Sequence, residues 1–519
     1  MTERKDAAVA SDHADRWGTR TGFLLAAVGS AIGLGNIWRF PYVAYSNGGG
    51  AFFVPYLFAL LTAGIPLLAM EYAMGHRWRG SAPLVFRRMH RRSEWIGWWQ
   101  VAVGFVISSY YCVVLAWAAA YAWYSFGTRW GDDPGTFFQE TFLRVTPEPG
   151  QIGGLVPAVV IPLLLVWAIT LGINYSGVSG GIERSVRIMI PALVLSFLVL
   201  VVRAITLPGA AQGLDALFTP DFSALTDSSV WIAAYGQIFF TLSIAFAIMI
   251  TFASYLPRRA DLNENAVIAA FSNSSFELLA GIGVFAAIGF TASQTGVPVG
   301  EAATDGVGLA FVAFPGIINQ LPGLNSLFGV VFFGSLVLAG LSSLISIVEV
   351  FVSALRDKFG LSRHAAVTLG GGTCAAVSLV YATQGGLYLL DTADNFINSF
   401  GITLTGLAEV IVVAWVLRKL NTLREHANTL SEIRLGRGWL VALGVITPVM
   451  LGIQVFLNFR TNLTSNYEDY PTAFLVVAGW GVALAALVAG VLLALWRWDT
   501  SRVALDDYDD ATTSGSERA

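Results

Sequence analysis

The N-terminal part of this sequence contains a polar, glycine-rich interruption within an apolar stretch. Gly29, Ser30, Gly33, Gly35 and Asn36 all fall between positions 29 and 36. Each glycine in a helix interior costs about 1 kcal/mol relative to alanine, so we expect the chain to leave the helical conformation here. An unwound segment exposes backbone carbonyl groups that have no intrahelical partner. Oxygens of this kind are suitable ligands for hard cations.

Two other apolar stretches carry polar groups that could complete such a site. One contains Gln237, Thr241 and Ser243, and the other contains the adjacent pair Ser342 and Ser343. A serine pair within a helix ordinarily bonds to the preceding turn, so by itself it predicts no ligand. Hydroxyl and amide oxygens from several interrupted helices would together provide a cation site.

The composition places most of the chain in lipid, because 55% of the residues are hydrophobic and only 12% are charged. Apolar stretches of about 20 residues, enough to cross a bilayer, recur along the whole length. We predict twelve spans, numbered 1 to 12: 20–45, 51–75, 97–127, 157–174, 185–206, 228–256, 265–292, 323–357, 364–384, 391–418, 438–459 and 471–497.

The charge pattern predicts the orientation of these spans. The loop after span 2 contains six arginines between positions 77 and 92, and loops rich in positive charge face the cytoplasm. We therefore expect a multi-pass protein of a prokaryotic inner (plasma) membrane with both termini cytoplasmic. All five histidines lie outside the spans or at their ends, which removes the usual general base and metal ligand from membrane depth. This argues against an enzyme.

The interrupted spans 1 and 6 stand five apart, as they would in two five-helix halves. Because each half has an odd number of helices, the second half is inverted in the membrane relative to the first. Paired interrupted helices mark the binding site at the membrane midplane in many transporters. We predict an all-α membrane fold with inverted five-plus-five repeats and two peripheral helices. The predicted units are 1–19 (cytoplasmic), 20–206 (first repeat), 228–418 (second repeat), 438–497 (peripheral helices) and 498–519 (disordered cytoplasmic tail).

Several motifs resemble those of one family, the neurotransmitter:sodium symporters, and within it the bacterial leucine transporters. They are GSAIGLGNIWRFPY from Gly29, NGGGAF from Asn47, GQIFFTLS from Gly236, NSSFE from Asn273 and AGLSS from Ala339. The resemblance covers about residues 16 to 497 and implies sodium-coupled symport of an amino acid by alternating access. It further implies two sodium ions, a small-molecule substrate and a lipid bilayer as partners, and no nucleic acid.

The resemblance implies two sodium sites. The first comprises the carbonyl group of Ala31, the side chains of Asn36 and Asn273, and the carbonyl and hydroxyl groups of Thr241. The second comprises the carbonyl groups of Gly29, Ile32 and Ala339 and the hydroxyl groups of Ser342 and Ser343. In the family the substrate carboxylate completes the first site, so we expect ion and amino acid to bind together.

The resemblance also implies a substrate site between spans 1, 3, 6 and 8. Amine carriers of the family place an aspartate at the position of Gly33, so glycine favours an α-amino acid. Alanines at 245 and 247 stand where leucine transporters have glycines, which disfavours a substrate as large as tryptophan. The implied residues are Ser30, Ala31, Gly33, Leu34, Gly35, Ile107, Tyr111, Phe240, Thr241, Ser243, Phe246, Ser343 and Ile347.

Gates are implied on both sides of this site. Arg39 and Asp394 match the extracellular pair of the family, and charges in a membrane are costly unless paired. Trp17, Asp357 and Tyr255 match the cytoplasmic gate. The arginine that the family places three residues before the tryptophan is Ala14 here, and Arg16 or Arg20 are the alternatives.

Glu277 stands where chloride-dependent members have serine, and a fixed carboxylate there would replace the chloride ion. We therefore expect a chloride-independent carrier, in which protonation of Glu277 after sodium release would give proton antiport. Alternatives within the same fold are an aromatic amino acid or a compatible solute as the cargo. A transporter-like sensor or channel is a second class, and accumulation against a gradient separates it from a carrier.

Overall fold

The computed structural model describes residues 15–302, 306–498 and 503. Within these ranges every named element is helical, and the only β pairs are the isolated bridges Gly49–Pro220 and Leu155–Thr383. The predicted all-α fold is confirmed. The predictions for Ala14, for most of segment 1–19 and for most of the tail 498–519 lie outside the described residues.

Ten helices of the described chain are long and apolar enough to cross a membrane, and a pair bent by 55° supplies an eleventh span. The bent pair, Arg20–Ala31 and Leu34–Ser46, is span 1. Spans 2 to 5 are Gly50–Trp78, Arg91–Gly127, Pro157–Tyr175 and Val178–Ile205, and spans 7 to 12 are Leu262–Thr295, Asn325–Phe359, Arg363–Ala382, Gly386–Val416, Arg437–Asp469 and Thr472–Leu495.

The remaining predicted span, span 6, is divided into Ser228–Thr241 and Ile248–Ser254. Residues 242–247 between these helices are non-helical, so neither piece is long enough to be counted as a span on its own. Counting the interrupted helix as one crossing brings the total to the predicted twelve. Short helices lie outside the spans, among them Ala210–Phe218 before span 6, Phe314–Gln320 before span 8 and Leu420–Leu430 after span 10.

The break in span 1 follows from Gly33 and Asn36. Ile32 leaves the helix with φ −72° and ψ 101°, and Gly33 is extended with φ −123° and ψ −167°. The second helix then begins at Leu34, and Asn36 Oδ1 accepts a hydrogen bond of 2.8 Å from the Gly33 amide. The side chain of Asn36 therefore caps the helix that it begins.

The break in span 6 is held open by three non-glycine residues in left-handed conformations. Ser243, Ala245 and Ala247 have φ values of 51°, 63° and 63°, and such conformations cost of order 1 to 3 kcal/mol each unless the surroundings fix them. Glu71 Oε1 accepts a hydrogen bond of 2.7 Å from the Ala245 amide, and Ser243 Oγ donates one of 2.9 Å to the Ser30 carbonyl. Neighbouring spans thus fix the break.

Spans 1 and 6 cross as antiparallel partners. The first helix of span 1, Arg20–Ala31, contacts the second helix of span 6, Ile248–Ser254, while Leu34–Ser46 contacts Ser228–Thr241. The two breaks therefore meet in the middle. Spans 3 and 8 pack against each other beside spans 1 and 6. In span 3, 78% of the most apolar part is buried, whereas in span 11 the buried share is 28%. Span 11 is accordingly peripheral.

Candidate functional site

The five residues of the predicted second sodium site meet beside the break in span 1. Ser343 Oγ lies 3.4 Å from the Gly29 carbonyl oxygen, 3.3 Å from that of Ile32 and 3.4 Å from that of Ala339. Ser342 Oγ lies 2.7 Å from the Gly29 carbonyl oxygen and 2.8 Å from that of Ala339, so its single proton can bond to either. Three carbonyl and two hydroxyl oxygens therefore lie close together, with no carboxylate among them.

Three of the four residues of the predicted first sodium site form a triangle of hydrogen bonds. Asn36 Nδ2 donates to Thr241 Oγ1 at 3.0 Å and to Asn273 Oδ1 at 2.9 Å, and Asn273 Nδ2 donates to Thr241 Oγ1 at 2.8 Å. All three side chains are buried. Ala31, the fourth residue, ends the helix just before the break. Spans 1, 6 and 7 thus contribute polar groups to one place.

The predicted substrate site is packed around two glycines of span 1. A Cβ atom on Gly33 would lie 3.3 Å from both Ser343 Oγ and the Tyr111 hydroxyl, and one on Gly35 would lie 2.4 Å from the Phe240 ring. The Leu34 amide donates to the Tyr111 hydroxyl at 3.4 Å. Glycine at position 35 is therefore required by the approach of Phe240.

The remaining predicted substrate residues are enclosed by the bundle. Ile107, Phe246 and Ile347 are buried, as are Ser30, Thr241 and Ser243, whereas Tyr111 and Phe240 are half-buried. The arrangement offers backbone amides and carbonyl groups at the break and apolar side chains beside them. It suits a ligand with a polar end and an apolar end.

Glu277 lies next to the first sodium site and is fully buried. Its carboxylate accepts a hydrogen bond of 2.7 Å from Gln237 Nε2 and a short one from the Tyr56 hydroxyl. The Ser274 hydroxyl lies 2.8 Å from the Tyr56 hydroxyl oxygen, which accepts its proton because the single proton of Tyr56 goes to Glu277. Hydrogen-bond donors from spans 2 and 6 therefore meet a carboxylate on span 7, one turn from Asn273.

On the side that faces away from the termini, Arg39 and Phe240 form a stacked pair. The guanidinium carbon of Arg39 lies 4.6 Å from the centroid of the Phe240 ring. Asp394 accepts a hydrogen bond of 2.7 Å from the Tyr110 hydroxyl, a contact that the sequence analysis did not predict. The side of the site that faces away from the termini is thus covered by charged and aromatic groups.

On the side of the termini, Trp17 closes the bundle against span 6. Its indole nitrogen donates 2.8 Å to the Phe252 carbonyl, and its ring packs edge-on against Phe252 and Phe23. The Trp17 amide donates 3.4 Å to the Tyr255 carbonyl. Trp17 is buried, so this residue, just before span 1, is part of the folded core.

An ion-pair network that the sequence analysis did not predict lies beside Trp17. Asp15 pairs with Arg363 at 2.9 Å and makes a shorter contact with Arg356. Arg363 also pairs with Glu349 at 2.6 Å, and Glu349 accepts a hydrogen bond of 2.9 Å from the Tyr255 hydroxyl. The only sequence signal was Glu349 itself, a carboxylate in an apolar span.

The residues considered as partners for Asp357 lie elsewhere. Asp357 Oδ2 accepts a hydrogen bond of 2.7 Å from the Ser81 amide, at the start of a short helix in the loop after span 2. Arg20 pairs with Glu264 at 2.7 Å. Among the ion pairs of the described residues, none joins Asp357 to Arg16 or Arg20.

Comparison with known proteins identifies the family. The sequence profile of the sodium:neurotransmitter symporter family matches residues 14–133 and 128–500, most of the chain. The chain belongs to this family. An uncharacterized sodium-dependent transporter of Methanocaldococcus jannaschii is 43% identical over 478 residues, covering 92% of this chain and 97% of that protein.

Two further relatives of this symporter are informative. The sodium- and chloride-dependent GABA transporter 2 of Rattus norvegicus is 34% identical over 442 residues, covering 78% of this chain and 73% of that protein. The crystal structure of MhsT in complex with L-phenylalanine superposes with a TM-score of 0.72 at 32% identity, covering 86% of this chain and 99% of MhsT. The protein is therefore a multi-pass, sodium-coupled membrane transporter, and members of its family are secondary transporters rather than enzymes.

Proposed function

We propose that this symporter imports a neutral α-amino acid with a hydrophobic side chain together with two sodium ions, by alternating access. The observation that carries the proposal is the meeting of the two breaks, where Ser243 of span 6 donates to the Ser30 carbonyl of span 1. At this point both broken helices present backbone groups to one small volume. No chemistry is done on the substrate.

The α-carboxylate of the substrate would bind at the start of the second helix of span 1. Helix N-termini carry free amides and a partial positive charge, and they bind anions. The Leu34 and Gly35 amides lie there, and the Tyr111 hydroxyl is within 3.4 Å of the first. An aspartate in place of Gly33 would put a negative charge beside this carboxylate, so the glycine supports an amino acid over an amine.

Two sodium ions account for the oxygen groups on either side of the break. Rotation of the Asn36 amide would bring its oxygen into the triangle with Thr241 and Asn273, and the substrate carboxylate would complete that site. The second ion would replace the hydrogen bonds that Ser342 and Ser343 donate to backbone carbonyls. Neither set contains a protein carboxylate, so the substrate supplies the counter-charge of the first ion.

Glu277 supports transport without chloride, because it provides a fixed negative charge beside the first sodium site. Its uptake of a proton after sodium release would allow proton antiport. The relative of Rattus norvegicus is a sodium- and chloride-dependent transporter, so we propose that this chain differs from it in chloride dependence.

An aromatic amino acid is a second candidate for the cargo. Ala245 and Ala247 adopt left-handed conformations although they are not glycines, so alanine at these positions does not prevent the unwinding of span 6. The related MhsT structure contains L-phenylalanine. These two observations remove the argument against a bulky side chain.

The test is uptake of a panel of radiolabelled amino acids into proteoliposomes with and without an inward sodium gradient. We expect sodium-driven accumulation of leucine, methionine or phenylalanine above equilibrium. Gly33→Asp should abolish this uptake, whereas Gly316→Asp, in an open position outside the site, should not. Equilibration without accumulation would indicate a channel, and displacement of the amino acid by amines without a carboxylate would refute the substrate class.

A further inference from the structure

Two buried carboxylates outside the proposed sodium and substrate sites lie beneath the break in span 6. Glu71 of span 2 and Glu409 of span 10 have no exposed surface. Both lie near Ala245, because Glu71 binds its amide and Thr405, one turn before Glu409, lies 3.4 Å from its carbonyl oxygen. Glu71 Oε1 accepts from the Ala245 amide at 2.7 Å, and Glu409 Oε2 accepts from Gln100 Nε2 at 2.7 Å. The pair thus connects spans 2, 3 and 10 to the break.

The surroundings provide no positive charge for this pair. None of the ion pairs among the described residues includes Glu71 or Glu409, and no lysine, arginine or histidine is among the groups that act on either carboxylate. Span 2 itself contributes the Tyr72 hydroxyl, span 3 contributes the Gln100 amide, and span 6 contributes the Ala245 amide. His426, on the helix that packs against span 2, bonds to His76 instead.

The buried atoms that remain without a hydrogen bond are mainly acceptors. Glu71 Oε2, Glu409 Oε1 and Gln100 Oε1 have no hydrogen-bond partner among the described residues, and neither does the Tyr72 hydroxyl. Buried polar atoms are normally paired, and two like charges in low dielectric cannot both be ionised without a large cost. One carboxylic acid proton would lower the charge of the pair and supply a missing donor.

We propose that Glu71 and Glu409 form a proton-binding site that shares one proton in this conformation and exchanges it with the side of the membrane that the termini face. Both residues lie in the halves of their spans nearest that side, where Trp17 and Tyr255 close the bundle. Opening there would admit water to the pair. The inference rests on sodium-coupled transport, which the family establishes, and not on the proposed substrate or sodium ligands.

The site would make the break in span 6 sensitive to pH. Glu71 accepts from the Ala245 amide, and Thr405 Oγ1 on span 10, one turn before Glu409, lies 3.4 Å from the Ala245 carbonyl oxygen. Loss of the shared proton would leave two repelling carboxylates attached to the segment that carries Ser243 and Phe246. Uptake should therefore fall as the pH rises through the range in which the pair loses its proton.

The proton can be detected directly by infrared spectroscopy of the purified protein in lipid. The carbonyl stretch of a protonated carboxylic acid should be present at neutral pH and shift on exchange into deuterated buffer. Glu71→Gln and Glu409→Gln should each alter or remove this band, because glutamine keeps the shape and the acceptor oxygen but binds no proton. Glu425→Gln, at an exposed position on the helix after span 10, is the matched control. Glu277→Gln and Glu349→Gln identify any band from these two fully buried glutamates.

Sodium-driven uptake measured from pH 5 to 9 provides the functional readout. The wild type and Glu425→Gln should lose uptake activity at alkaline pH. Glu409→Gln should instead take up substrate at alkaline pH as fast as it does at acidic pH. An unchanged infrared band in both pair variants would overturn the proposal, as would an unchanged alkaline decline in Glu409→Gln. A band that disappears on addition of sodium or potassium to the Glu277→Gln protein would instead assign the pair to a metal cation. Failure of the proposed substrate would leave the infrared result intact.

Discussion

Gln237 Nε2 donates a hydrogen bond of 2.7 Å to the carboxylate of Glu277, which stands one helical turn from Asn273 of the proposed first sodium site. The carboxylate is held by spans 2 and 6 at once, and we propose that it provides the negative charge that an anion would otherwise supply. An excess positive charge in low dielectric is expensive, and a charged Glu277 would offset it.

Uptake by the wild type should therefore be the same in chloride and in gluconate buffer. Glu277→Ser should slow uptake at least tenfold without chloride and recover in its presence, because a bound chloride would restore the negative charge. Glu301→Ser, which removes an exposed glutamate, should resemble the wild type. A wild type that stops in gluconate would contradict the charge argument.

Asn36→Ala should abolish coupled uptake while the protein remains folded. The mutation removes both the cap of the second helix in span 1 and one corner of the triangle with Thr241 and Asn273. Sodium affinity can be measured from sodium-dependent thermal stabilisation in detergent, and we expect it to fall at least tenfold. Asn466→Ala, at an exposed position, is the control, and normal sodium affinity in Asn36→Ala would show that the site is misplaced.

The serine pair of span 8 provides a stringent comparison within one helix. Ser342→Ala and Ser343→Ala should each raise the sodium concentration for half-maximal uptake tenfold or more, since a lost ligand to a charged group is worth about 1.5 to 3 kcal/mol. Ser335 is also buried, but its hydroxyl donates only to the Phe332 carbonyl of its own helix. Equal effects of Ser335→Ala and Ser343→Ala would indicate packing rather than ion binding.

The gate on the side of the termini should depend on Asp15. Asp15→Asn or Arg363→Gln weakens the network that joins the N-terminal segment to spans 8 and 9, so the population open to that side should rise roughly fivefold or more. Thiol labelling of a cysteine introduced at the buried position Ser254 reports this opening, since the native Cys112 and Cys374 are buried. In the double variant Asp15→Asn/Arg363→Gln, the rise in the open population should be smaller than the sum of the two single effects. Asp357→Asn should raise the open population less than Asp15→Asn does, if Asp15 is the gating acid.

Acid should destabilise the protein through His426. Burial, together with the charges of Arg77 and Arg79, lowers the pKa of His426 to about 4, below the value of about 6.5 for an unfolded chain. The neutral form of His426 therefore contributes fully to the free energy of unfolding above pH 6.5. This contribution, about 3 kcal/mol at most, is lost as the pH falls toward 4. Thermal unfolding in detergent should show a smaller acid-induced decrease in His426→Gln than in the wild type, with the exposed His364→Gln unchanged.

The sequence by itself determined the membrane fold, the two broken spans and the residues that meet at the breaks. Apolar length fixes where helices cross a bilayer, because no other environment satisfies both the side chains and the backbone. Gly33 and Asn36 mark the first break through local backbone preference, and this preference acts within a few residues. The family motifs then predicted the neighbourhood of Ser343, Gly29 and Ile32.

Only the tertiary structure decided which charged groups pair between distant segments. Asp15 and Arg363 are far apart in the chain, and Glu71 and Glu409 lie on spans 2 and 10, so no local pattern relates them. Arg16 and Arg20 are near Trp17 in the sequence and were the expected gate residues, whereas the packing of spans 8 and 9 brings Arg356 and Arg363 to Asp15. Electrostatic partners depend on distances between helices, and those distances are set by the packing of the whole bundle.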